Sequence, residues 1–135
     1  MDPNFDGAYI QLDYAYAAKG MYREAITAYE KAAQLGAGFN TKIYLAAAYA
    51  GAGERDRARS MLRQFEEGKG YVSPAELAVL YVALGERERA LASLEKAYAE
   101  RDLQLKYLTT EPAYDPITNE SRFRELVRKV GLPVS

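Results

Sequence analysis

The 135-residue chain contains no cysteine and no histidine. Without cysteine it has no disulfide framework, no thiol nucleophile and no thiolate metal ligand, and its redox compartment stays undetermined. Without histidine it also lacks the commonest metal ligand and the usual general base near neutral pH, so most familiar catalytic constellations cannot be assembled. An enzyme is therefore not expected; no catalytic or metal-ligating residue is assigned, and no cofactor is expected. Charge of one sign is missing too: 18 Lys+Arg stand against 19 Asp+Glu. No whole-molecule field draws in nucleic acid or an anionic membrane surface. No run approaches the roughly 18 apolar residues of a membrane span, and the first residues lack the basic-then-apolar build of a signal peptide. The expectation is a soluble chain without membrane insertion and, at this length, a single domain over 1–135.

What the chain does have is self-similarity. "YIQLDYAYAAKGMYREAITAYEKA", "KIYLAAAYAGAGERDRARSMLRQF" and "PAELAVLYVALGERERALASLEKA" align. Leu12, Leu45 and Leu77 fall in one column, and Tyr16, Tyr49 and Tyr81 in the next. Gly20, Gly53 and Gly85 follow, then Ala25, Ala58 and Ala90. Each unit reads as two helices joined by a tight turn. Tyr9, Leu12 and Tyr16 recur at helical spacing, Gly20 supplies the left-handed helix stop, and Tyr22, Ala25, Ile26, Tyr29 and Ala32 form the inner face of the second helix. The alanine column lets paired backbones approach closely.

This pattern resembles the tetratricopeptide repeat, a unit of about 34 residues. The resemblance covers residues 6 to about 102, as repeats 6–38, 39–70 and 71–102, and implies an all-α fold, a right-handed superhelix (α-solenoid) of antiparallel helix pairs. The late alanine column, Ala32 and Ala97, also matches, while Phe65 departs from it and the closing proline of the unit is missing. Residues 103–135 read differently. Leu103, Tyr107 and Leu108 predict a short helix, and "TTEPAYDPITNE" a loop punctuated by Pro112 and Pro116. A final helix capped by Thr118 or Asn119 presents Phe123, Leu126, Val127 and Val130 on one side. Arg122, Arg124, Glu125, Arg128 and Lys129 lie on the other, and Gly131 and Pro133 stop it. Such a helix caps a solenoid. The stretch "EPAYDPITNESRFRELVRKVGL" is similar to the tail closing tetratricopeptide regions of large bacterial proteins such as transmembrane or winged-helix regulators, serine/threonine kinases and nucleotide cyclases. That likeness implies a bacterial, cytoplasmic setting, or a periplasmic one if the parent protein is membrane-anchored.

The first helix of each unit carries a second apolar stripe: Ile10, Tyr14 and Ala17; Ile43, Ala47 and Ala50; Ala75, Val79 and Val82. By resemblance the first helices line the concave face, so this stripe would pave a groove for a helix or peptide of a partner protein. Gln11, Tyr44 and Glu76 occupy the matched polar column beside it. The alternative is that superhelix curvature, or the chain's own tail folding back, buries the stripe. Tetratricopeptide domains that clamp acidic chaperone tails use lysine and asparagine on these helices. Ile10, Tyr14, Ile43 and Ala47 stand here instead, which argues against that mode. Self-association as a homodimer is the second reading, through apolar end surface around Phe5 and Tyr9.

Other motifs fall away. "GAGFNTK" lacks the glycine before Lys-Ser/Thr and the preceding strand of a phosphate loop; "GAGERDR" lacks the third glycine of a dinucleotide fingerprint and reads as an interhelical turn. Arg55, Arg59 and Arg63 share a helix face with Arg57 nearby, but Glu54, Asp56, Glu66 and Glu67 interleave, which describes a solvated surface. "NES" at 119–121 is a short sequon that carries no weight. The carboxylates sit in surface patterns with Lys and Arg, and no isolated pair in an apolar setting is expected. Asp2-Pro3-Asn4 reads as the end of a preceding repeat, which would make the chain the carboxy-terminal part of a longer array.

Overall fold

The computed structural model describes residues 21–36, 39–68 and 72–131. The expected first helix with Tyr9, Leu12, Tyr16 and Gly20, the groove residues Ile10, Tyr14 and Ala17, and the Asp2-Pro3-Asn4 reading lie outside them. The described residues are all-helical: α1 (Tyr22–Gln34), α2 (Phe39–Gly51), α3 (Arg55–Glu67), α4 (Pro74–Ala83), α5 (Arg87–Ala99), 3₁₀ helices Leu103–Tyr107 and Pro112–Ile117, and α6 (Ser121–Val130). Among them no helix is long and apolar enough to cross a membrane. The chain divides into two compact units, residues 1–70 and 71–135.

In the first unit α2 packs on both α1 and α3. A helix touched on two sides needs little polar face, and FNTKIYLAAAYAG carries one charge, Lys42, which is exposed. α1 and α3 have a single apolar stripe each. On α1 it is Ala25, Ile26, Tyr29 and Ala32, all buried as the spacing predicts. On α3 it narrows to Ala58 and Leu62, with Phe65 half-buried.

The second unit repeats this plan with a different third partner. α4 packs on α5 and on both 3₁₀ helices, and α5 receives α6. Pro74 at the first helical position and Ser73 as N-cap, whose Oγ accepts from the Glu76 N–H at 3.2 Å, start α4.

The helix stops recur from unit to unit. After α2, the Glu54 N–H donates to the Tyr49 carbonyl (2.8 Å) and Gly53 to that of Ala50 (3.1 Å), with Gly53 at φ 92°. After α4, Glu86 donates to Tyr81 (2.9 Å) and Gly85 to Val82 (2.9 Å), with Gly85 at φ 77°. These are Schellman motifs, in which a left-handed residue lets two N–H groups turn back onto orphan carbonyls. Each carries the same side chains: Arg57 lies 4.2 Å from the Tyr49 ring centre and pairs with Glu54, and Arg89 lies 5.5 Å from that of Tyr81 and pairs with Glu86.

The short helix expected at Leu103 is a 3₁₀ helix, and after it the tail departs from expectation in two places. Leu103 and Tyr107 face solvent, Leu103 with 81% of its surface exposed, and Leu105 and Leu108 turn inward. The Pro-punctuated stretch is a 3₁₀ helix rather than a loop: Pro112 opens it, where no N–H is needed, and Tyr114 and Ile117 are buried. The final helix is preceded by Glu120 as N-cap, not Thr118 or Asn119, and Glu120 pairs with Arg87 on α5 at 3.6 Å. Phe123, Leu126 and Val127 are buried and Val130 half-buried, and Gly131 at φ 86° closes the helix as expected.

Candidate functional site

The eleven residues expected to line a groove separate clearly. Three lie outside the described residues. Ile43, Ala50, Ala75, Val79 and Val82 are between 0% and 8% exposed, so they are core. From that stripe and its polar column, α2 leaves Tyr44 and Ala47 half-exposed in the first unit, and α4 leaves Glu76 half-exposed in the second. Tyr44 stacks on Tyr29 with ring centres 6.1 Å apart. At the buried positions the alternative of a covered stripe replaces that of an open one. In the second unit the cover includes the chain's own tail: the Tyr114 hydroxyl donates to the Ala75 carbonyl at 2.5 Å.

The richest polar cluster lies at the same end of α4. α5 ends in a third Schellman motif, with Asp102 N–H to the Ala97 carbonyl (2.9 Å) and Arg101 N–H to that of Tyr98 (3.1 Å). The left-handed position is here Arg101, at φ 57°, the one non-glycine residue with positive φ among the described residues. That turn brings Asp102 to the start of α4. Its Oδ2 accepts from the Ser73 hydroxyl (2.5 Å) and the Ala75 N–H (3.2 Å), and its Oδ1 from the Gln104 N–H (3.0 Å). One carboxylate thus caps two helices at once, α4 and the first 3₁₀ helix. The Ser73 hydroxyl is committed as donor to Asp102 and acceptor from Glu76, which is a structural use and not that of a nucleophile.

Glu76 sits beside this cap. Burial, and next the nearby Asp102 charge, push its carboxyl up from an ordinary 4.5 to about 7. The expectation that the carboxylates sit in surface patterns with Lys and Arg does not describe Glu76, which is half-buried with Asp102 as its charged neighbour. Ala75 and Asp102 are 27 residues apart in sequence, and only the fold joins their surroundings. The Ser-x-x-Glu pattern of Ser73 to Glu76 signals a capping box and could have located half of the cluster. Nothing local to Asp102 signals the other half.

Two further networks are structural. The Tyr49 hydroxyl donates to Glu30 at 2.8 Å; burial first, then that bond, push the phenol up to about 12, so it does not ionise near neutrality. Arg122 on α6 forks onto Glu95 (3.1 and 2.6 Å) and reaches Glu88 (2.6 Å), holding α6 on α5 and keeping the Glu95 carboxyl below its usual range. No group of three or more metal-ligating side chains occurs among the described residues. No family model matches the chain, and neither does any curated protein or solved structure.

Proposed function

We propose that the chain is a protein–protein interaction module of tetratricopeptide type, holding a helix or peptide of another protein, or of another part of its own parent protein, against the first helices of its repeats. The observation that carries this reading is the recurrence of one helix stop, Tyr49–Gly53–Glu54–Arg57 and Tyr81–Gly85–Glu86–Arg89, in register with the sequence repeat. Stacked units of this kind present a repeated surface to partners. Tyr44 and Ala47 in the first unit, and separately Glu76 in the second, are the half-exposed described residues among those expected to line a groove. The test is affinity capture from the source cell with the parent chain and an Ala47→Glu variant side by side. Proteins retained by the parent and lost by the variant, at unchanged helical circular dichroism, support the reading; identical catches overturn it.

Self-association is the second reading, favoured by Leu103 at 81% and Tyr107 at 46% exposure on one short 3₁₀ helix. Light scattering over a concentration series separates the two, because a strict monomer at high concentration excludes a homodimer.

A further inference from the structure

α5 ends as α2 and α4 do, in a Schellman turn, but where those have Gly53 and Gly85 in the left-handed position α5 has Arg101, at φ 57°. A Cβ in that conformation crowds the following carbonyl, so the arginine costs backbone energy that glycine would not. Its side chain is exposed and makes no ion pair or hydrogen bond among the described residues. What that side chain contributes therefore lies outside the unit. The apolar surface left open in the second unit adjoins it: Tyr98 just before is 42% exposed, Leu103 just after is 81% exposed, and Tyr107 at the end of the same 3₁₀ helix is 46% exposed. We propose that Arg101, Leu103 and Tyr107, with Tyr98 and Lys106 beside them, form a docking patch for an acidic segment of a partner protein. An apolar side chain of that segment lies on Leu103 and Tyr107, and its carboxylates meet Arg101 and Lys106.

Charge and area select that partner. The carboxylates nearest in the chain are committed: Glu100 pairs with Lys96 at 3.8 Å, Asp102 caps α4 and the first 3₁₀ helix, and Glu111 caps the second by accepting from the Ala113 N–H at 3.0 Å. Lys129, over the Tyr98 ring, acts on Glu95 and Glu125. Arg101, and Lys106 over the Tyr107 ring, are left as positive charges without a carboxylate among the described residues. An apolar spot flanked by two such cations attracts a carboxylate-bearing segment and repels a basic one. Arginine forks onto a carboxylate with two hydrogen bonds, and tyrosine rings add rigid contact area. A second copy of the chain fits worse, because a two-fold dimer apposes the patch to itself and sets Arg101 and Lys106 against their own copies. The three apolar side chains expose on the order of 300 Å² between them, less than half of the roughly 800 Å² each partner gives to a stable interface and enough for the few anchors of a short peptide.

The patch belongs to the second unit alone and shares no residue with the groove surface proposed above, so loss of one leaves the other intact. The test is selection of a random peptide library on the full chain, with binders to a Leu103→Ser variant removed, followed by titration of the enriched peptides made synthetically. Expected are sequences with Asp or Glu beside Leu, Phe or Trp, whose affinity for the parent falls about tenfold in Arg101→Gly. Their affinity also weakens as salt rises, and falls less in Arg101→Lys, which keeps the charge and loses the fork. Arg101→Gly relieves the backbone, so a loss of binding there is not a loss of folding. The absence of any enriched peptide, enrichment of basic or neutral sequences, or affinity unchanged in Arg101→Gly overturns the patch. So does concentration-dependent association in light scattering that Leu103→Ser abolishes, which assigns the surface to a second copy. Cosedimentation with phosphatidylglycerol vesicles that Leu103→Ser abolishes overturns it as well, assigning the surface to a lipid headgroup layer.

Discussion

Gly85 and Arg101 occupy equivalent places at the ends of α4 and α5, both left-handed, and a single backbone angle makes opposite demands on their side chains. A Cβ on Gly85 would meet nothing within 4 Å, so Gly85→Ala tests backbone strain alone. A loss of about 1–2 kcal/mol in urea-induced unfolding is expected. Arg101→Gly is expected to go the other way, gaining about 0.5–1 kcal/mol once the extra freedom glycine gives the unfolded chain is deducted. Gly85 was legible in the sequence because glycine itself marks a left-handed stop. Arg101 was not, because the Schellman bonds to Ala97 and Tyr98 impose that conformation on a residue with no preference for it.

Between elements, polar contacts add direction to the apolar packing of Leu105, Leu108 and Ile117 that holds the tail on its neighbours. Tyr114→Phe removes the hydroxyl bond to the Ala75 carbonyl; a cost of about 1–2 kcal/mol is expected, read from the urea midpoint. Arg122→Ala should loosen α6 from α5. The Arg122 fork is exposed, so the loss of thermal stability relative to the parent should be clear at low salt and shrink as salt rises. The amphipathic pattern of α6 was readable from residue spacing, since one apolar side met one partner. The two 3₁₀ helices were harder. Leu103, Tyr107 and Leu108 predicted a short helix without its type; in a 3₁₀ helix residues three apart share a face, so Leu105 and Leu108 turn to the core together and Leu103 and Tyr107 face solvent.

For the molecule as a whole, stability should carry the signature of Glu76. Its carboxyl stands at about 7 in the folded chain against 4.5 ordinarily, so the folded state binds the proton more tightly. The stability this provides is full below about pH 4.5 and is lost as pH rises to about 7. Glu76→Gln is expected to unfold at a higher temperature than the parent at pH 8, with the difference closing toward pH 5; an equal difference at both pH values would assign the effect to packing. Within the described residues, α1 to α6 and the stops at Gly53, Gly85 and Gly131 follow from the chain alone, because propensity, periodicity and left-handed backbone are properties of neighbours in the chain. Which apolar positions are covered, and which charge acts on Glu76, depend instead on how the elements pack. Burial of Ala75 and Val79 requires a covering element, and the coupling of Glu76 to Asp102 requires two turns far apart in sequence to be held at one helix end.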